Sequence, residues 1–325
     1  MGLIKLSISK QSKFNKFLFF NIIVLLIFVF LNIFSGDNSM VNVFNIQTSD
    51  YPILQLRISR TMVALFTGGL ISIAGLFLQL IFRNNLVDPG LVGLTSSTSF
   101  FKNLLAIFLP AFLGSNIIYG AVGSFILVAI LIWLKSKNIG PTRFVLFGVC
   151  LTVFFISLNQ VMSYITHADN SIFSGFNLVS PDVTYLMVIL GGVLLSVLVL
   201  FDKYIPYYSF NDNKITELGI DIKKINIYIL VLISIIIATI VGIVGEFLFI
   251  GIVIPNIVKS INGTKTENYF FDTVLLGANL MLTSDFIGRN LFFPVEVPAG
   301  LICSLICAPI LFYFVLRGSH GSKEY

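Results

Sequence analysis

Arg57 and Arg60 stand three residues apart, and Arg289 follows Asp285 by four, in a chain of which only 11% is charged. On a helix both spacings bring side chains onto one face. Arg57 and Arg60 therefore share a face if their helix starts early, and Asp285 can orient Arg289 through an intrahelical pair. The chemistry open to such groups is electrostatic: pairing with each other, anchoring helix ends by snorkelling, or complementing charge on a partner. Asp285 is the one carboxylate expected well inside an apolar segment, where ionisable groups mark function by default. Its place near an outer end, one turn from Arg289, favours the pair over a proton relay. Lys102 also falls within an apolar segment, where it either snorkels toward the cytoplasmic side or attracts an anionic ligand in a cavity.

Residues for other chemistry are sparse. Cys150, Cys303 and Cys307 lie in apolar segments and read as small buried hydrophobes rather than ligands or a disulfide. His167 and His320 are too few and too far apart for a metal site. No G-x-x-x-x-G-K-[ST] loop is present to cradle ATP phosphates, and residues 263–266 (Gly-Thr-Lys-Thr) have the wrong order. Nor do clustered carboxylates or His pairs point to a membrane enzyme. No catalytic residue, metal or bound cofactor is expected in this chain.

The loop at 202–224 is the longest one expected to carry a helical insert on the cytoplasmic side. Three Asn/Asp residues, 211–213, offer helix N-caps, Gly219 offers a stop, and Asp221 can cap the next helix. The result is a short helix whose Ile215, Leu218 and Ile220 can enter a groove on a partner. Packing on its own subunit is the alternative.

The elements that must position these groups are membrane helices. With 57% hydrophobic residues, the chain departs from a soluble domain, in which about 25% of residues are charged. Apolar segments fall at 17–34, 61–82, from 89 to 109, 116–134, 144–165 and 183–201, then from 225 to 258 as a seventh span and a short eighth, and finally at 273–288 and 297–316. The eighth is expected to break near Gly251 and Pro255, and such backbone at membrane depth must face protein or a water-filled cavity, which points to a translocation path. The fold class is all-α: a single polytopic domain over residues 1–325 with about ten transmembrane helices. With both termini inside, sixteen Lys and Arg fall on the cytoplasmic side and only Arg57, Arg60 and Arg289 outside.

Two blocks of motifs carry a family resemblance. The first runs from Arg57-x-x-Arg60 through a helix with Gly68, Gly69, Ala74 and Gly75 to Gln79, Phe82-Arg83-Asn84 and Asp88-Pro89-Gly90-Leu91-x-Gly93. The second holds Phe249-x-Gly251-x-Val253-x-Pro255, Asp285-x-x-x-Arg289 and Pro294-x-Glu296-x-Pro298-x-Gly300. Together they resemble the permease subunit of type II ABC importers for iron-siderophore, haem and cobalamin. The chain departs from that family at Asn256, where a histidine is usual, so details of the path at Gly251, Pro255 and Asn256 are not copied across.

The resemblance implies that Lys214, Ile215, Glu217, Leu218, Gly219 and Ile220 form a coupling helix for an ATPase, Glu217-Leu218-Gly219 carrying the pattern. It implies that Arg57, Arg60 and Arg289 receive carboxylates from the two lobes of an external binding protein. The partners are then a second permease subunit, identical or paralogous, two ATPases that hold ATP and Mg, a substrate-binding lipoprotein, and the lipid of a bacterial cytoplasmic membrane; nucleic acid is not among them. The cargo implied is an iron complex, ferric siderophore or haem, moved by ATP-driven alternating access. The alternative, an ion-coupled secondary transporter, calls for midplane ionisable groups and paired interrupted helices in repeated halves.

Overall fold

Apolar segments that leave water must satisfy their backbone internally, and a helix does so within one segment. The computed structural model describes residues 2–35, 51–109, 114–137, 140–166, 175–176, 180–210, 212–262, 269–291 and 295–318. The regular elements among them are helices: α1 (Gly2–Phe34), α2 (Tyr51–Phe82), α3 (Leu94–Phe108), α4 (Ser115–Ser136), α5 (Pro141–Thr166) and α6 (Pro181–Asp202). A 3-10 turn (Ile205–Ser209) follows, then α7 (Asp212–Glu217), α8 (Ile222–Ile243), α9 (Ile250–Asn262), α10 (Tyr269–Asn290) and α11 (Ala299–Gly318). Eight helices among the described residues are long and apolar enough to cross a membrane. The other two expected segments are shorter, with 15 residues in α3 and 13 in α9, roughly 22 and 20 Å of helix. The protein is an all-α, multi-pass membrane protein. His167, His320, Ile172, Phe173, Pro294 and residues 263–266 lie outside the described residues.

α2 is the hub, because its small residues let two other helices come close. Gly68 faces Gly277 of α10 and Gly75 faces Gly251 of α9, and a Cβ on Gly68 or Gly75 would overlap the facing backbone. α1 joins the far side of α10 through amides rather than small residues. Asn279 Nδ2 donates to the Asn21 carbonyl at 3.0 Å, and Asn32 Nδ2 donates to the Leu282 carbonyl at 3.2 Å.

Two connections run through the protein rather than over it. After α2 the chain turns at Arg83 and re-enters, with Val87, Asp88 and Val92 buried. Asp88 Oδ2 accepts from the Gly90 amide at 2.7 Å, and Gly93 turns the chain into α3 at φ +84°. α3 therefore starts at Leu94, not near Pro89, and is short because this inward loop covers part of the depth. The second connection, residues 244–249, leaves the end of α8 irregular, with Gly245 at φ +107° and Phe249 at φ +70°. It is here that the seventh and eighth segments divide. The expected break near Gly251 and Pro255 is corrected, since Gly251 lies in the first turn of α9 and Pro255 lies inside it.

Candidate functional site

α2 begins at Tyr51, so Arg57 and Arg60 sit on a formed helix whose entry faces the end of α10. Arg60 bonds Asp285 across that contact. Its Nη2 lies 2.9 Å from Oδ1, and its Nε donates to Oδ1 at 3.0 Å and to Oδ2 at 3.2 Å. Arg60 Nη1 reaches Glu296 Oε2, just before α11, at 2.9 Å. The Arg60 side chain is 12% exposed and that of Asp285 is 0% exposed. Arg289 completes the cluster, with Nε 3.4 Å from Asp285 Oδ2 and its terminal nitrogens on the carbonyl and side-chain oxygens of Asn32 in α1.

The sequence-derived Asp285–Arg289 pair is present, but Asp285 makes its shorter contacts with Arg60. The resemblance implies that the three arginines receive carboxylates of an external binding protein, which calls for exposed side chains. Arg57 and Arg289 are instead buried, and the cluster ties α1, α2, α10 and the start of α11 together. Breaking one partner of such a pair leaves a charge uncompensated, at about 3–5 kcal/mol.

A second polar contact explains how α9 tolerates its proline. Pro255 has no N–H, so the carbonyl of Gly251, four residues back, has no helical donor. Gln79 of α2 supplies one, with Nε2 at 2.8 Å. Asp88 Oδ1 lies over the same turn, close enough that a Cβ on Gly251 would stand 2.6 Å from it. A carboxylate there faces the positive end of the α9 dipole. Gly251 and Pro255 are buried, so this backbone faces protein within the subunit. Asn256 is half-buried and bridges, donating to the Asn85 carbonyl at 2.9 Å and to the Ile252 carbonyl at 2.8 Å.

Lys102 does not snorkel toward the start of α3. Its Nζ donates to the Val241 carbonyl near the end of α8, at 3.4 Å, and it lies in the field of Glu246 in the irregular 244–249 connection. Ser99, one turn earlier on α3, hydrogen-bonds the same carboxylate. Glu246, Asp88 and the fully buried Asp272 show that Asp285 is not alone among inward-facing carboxylates. The sequence signal for Glu246 was its position as the sole charge between residues 225 and 258.

The loop helix is α7. Gly219 adopts φ +77°; its amide bonds the Thr216 carbonyl at 2.9 Å and the Ile220 amide bonds the Ile215 carbonyl at 3.3 Å, which together form a Schellman stop. Asp221 caps α8, accepting from the Lys224 amide at 3.3 Å. Its contacts with the Lys224 side chain and amide hold its carboxyl below the usual range. Ile215 is 0% exposed and Leu218 is 60% exposed. Ile215 therefore fixes the helix to its own subunit and is not free to enter a partner, while Lys214, Glu217 and Leu218 face outward and Ile220 is half-buried.

The sequence profile of the FecCD transport family matches residues 22–317, nearly the whole of this arrangement. The chain belongs to that family. FecCD proteins are transport permeases of ABC importers whose ATPase is a separate subunit, so this chain is a permease and not an enzyme. It is similar to the iron-uptake system permease protein FeuC of Bacillus subtilis (strain 168), 26% identical over 291 residues, covering 83% of this chain and 85% of that one. It is also similar to the "Probable heme-iron transport system permease protein IsdF" of Staphylococcus aureus (strain Newman), 25% identical with 83% of each chain covered. The FecCD permease shares its fold with a metal-chelate type ABC transporter solved in an inward-facing conformation, at TM-score 0.78 and 24% identity, covering 93% of this chain and 99% of that one. A more distant likeness is to PsaBC from Streptococcus pneumoniae in complex with Fab, at TM-score 0.57 and 17% identity, covering 82% and 92%.

Proposed function

We propose that this FecCD permease carries an iron complex, a ferric siderophore or haem, across the bacterial cytoplasmic membrane by ATP-driven alternating access. The observation that carries the proposal is α7, a capped helix anchored by Ile215 that turns Lys214, Glu217 and Leu218 outward. It stands at the end of the molecule that also bears Arg83 and Lys259, away from the arginine cluster. Positive charge at that end supports a cytoplasmic assignment, and an ATPase docked there would act through α7. A second permease subunit would enclose the path, and ATP with Mg on two ATPases would shift the populations of inward and outward states. The iron cargo is supported by the names of FeuC and IsdF.

At the opposite end lie Arg57, Arg60 and Arg289, with Asp285 and Glu296 both paired to Arg60. Carboxylates of a binding lipoprotein would reach Arg60 by competing with Glu296, the more exposed of its two partners. Docking would then loosen the contact between α2 and α11. Uptake tests the cargo: cells lacking this chain should lose accumulation of labelled ferric siderophore or haem and regain it with the wild-type chain. Unchanged accumulation of both in the deletion strain would remove iron complexes as the cargo.

A further inference from the structure

α2 ends in a helix stop made by an arginine rather than a glycine. The Asn84 amide bonds the Gln79 carbonyl at 3.1 Å and the Arg83 amide bonds the Leu80 carbonyl at 3.3 Å, the paired bonds of a Schellman motif. That motif puts its turning residue in the left-handed conformation, and here Arg83 holds it at φ +49°. Glycine adopts this conformation without the clash that a Cβ brings. The backbone therefore gives no reason for an arginine at this position, and the reason lies in its side chain.

Among the interactions of that side chain, Nη2 donates to the Phe210 carbonyl at 2.8 Å. Phe210 closes the 3-10 turn just before α7 begins at Asp212. The turn is braced on α8, with Ile205 and Tyr208 buried and the Tyr208 hydroxyl donating to Asn226 Oδ1 at 2.6 Å. Arg83 thus ties the segment that leads into α7 to the first residue of the inward loop. On its other side the loop is held by α9. Asn256 Nδ2 donates to the Asn85 carbonyl at 2.9 Å, and Lys259 Nζ donates to the Asn85 side-chain oxygen at 3.2 Å. Further along the loop, Asp88 Oδ1 lies over the first turn of α9.

We propose that Arg83 is a positioning residue that carries displacement of α7 to the inward loop and, through Asn85, to α9. The inference rests on the reading that an ATPase acts on α7. Movement of α7 reaches Phe210 along the chain, and the guanidinium passes it across to a loop whose Val87, Asp88 and Val92 are buried in the subunit. Energetic coupling between distant sites is carried by such chains of hydrogen bonds and packed side chains when they have two arrangements.

The test uses the full permease–ATPase complex in proteoliposomes, with the binding lipoprotein and labelled ferric siderophore or haem, and compares wild type with R83G and R83K. R83G suits the backbone and removes the side chain, so thermal unfolding and ATPase copurification should match wild type. Uptake per ATP hydrolysed should fall at least about five-fold, the lower end of typical coupling between sites. R83K can still donate to a carbonyl and should recover part of the loss. Unchanged uptake per ATP in R83G overturns the proposal. A loss accompanied by lower thermal stability or by release of the ATPase also overturns it, because Arg83 would then serve only the fold or the dock. A second measurement on the same complex needs no cargo. Spin labels at Glu217→Cys on α7 and Ile261→Cys near the end of α9, both exposed positions, in a Cys150→Ser background, should give a distance distribution that broadens in R83G. Equal widths overturn the role of Arg83 whatever the permease carries. Broadening together with no uptake by the wild-type complex counts against the transport reading alone and supports the tie.

Discussion

Arg60 and Asp285, 225 positions apart in sequence, meet through contacts of 2.9 to 3.2 Å that join the entry of α2 to the end of α10. Because Asp285 is fully buried, the pair acts as a fastening rather than a surface decoration. Asp285→Ala should lower the unfolding free energy of the purified permease by about 3–5 kcal/mol, leaving Arg60 and Arg289 without their shared partner. The double variant R60A/D285A should lose less than the sum of the two single losses. Additive losses in thermal unfolding would mean that the two side chains do not act as a pair.

The Gln79–Gly251 hydrogen bond makes a sharper forecast because Pro255 creates the need for it. Gln79→Leu should destabilise by about 1–3 kcal/mol, the loss expected when a buried acceptor goes unsatisfied. In a Pro255→Ala background the restored amide can serve the Gly251 carbonyl, so the same Gln79→Leu change should cost clearly less. Equal costs in both backgrounds, measured by denaturation in detergent, would separate the glutamine from the proline.

The spacing of Asp285 and Arg289 made their pairing legible in the sequence, and the caps of α7 and α8 were legible from Gly219 and Asp221. The pairing of Arg60 with Asp285 was not, because local spacing says nothing about residues 225 positions apart. Residues 89–93 also misled: they read as the start of a span, yet they belong to a largely buried inward loop, and α3 starts after it. Glycine and proline marked the neighbourhood of the α8–α9 break but not its place, since Gln79 lets Pro255 stay within the helix. The arginines are assigned outside by the topology and to a binding protein by the family resemblance, and neither tells how deeply they are buried. Arg60 and Arg289 are held inward by Asp285, Glu296 and Asn32, which no single segment reveals.

On α7 the two apolar residues Ile215 and Leu218 should behave differently. Ile215→Asp places an unpaired charge in the subunit interior and should reduce the folded permease itself, at several kcal/mol. Leu218→Asp should leave folding unchanged, since Leu218 is 60% exposed, and should reduce ATPase copurification at least ten-fold. A Leu218→Asp permease that retains the ATPase fully would exclude Leu218 from the coupling surface.

Arg57→Glu at the other end should weaken association with a binding lipoprotein, and a partner carboxylate changed to Lys should partly restore it. Added salt should slow the association, because the Debye length is about 8 Å at physiological ionic strength. Equal affinity of wild type and Arg57→Glu at low salt, in correctly folded samples, would leave the cluster as a fastening alone.

The central proposal, iron-complex transport driven by a separate ATPase, is tested most directly by uptake in proteoliposomes. These would hold the permease and its ATPase, with the binding lipoprotein and labelled ferric siderophore or haem outside. The expected result is uptake that requires ATP and disappears when the phosphate-loop lysine of the ATPase is replaced. Uptake that persists with that inactive ATPase and follows a proton or sodium gradient would contradict it.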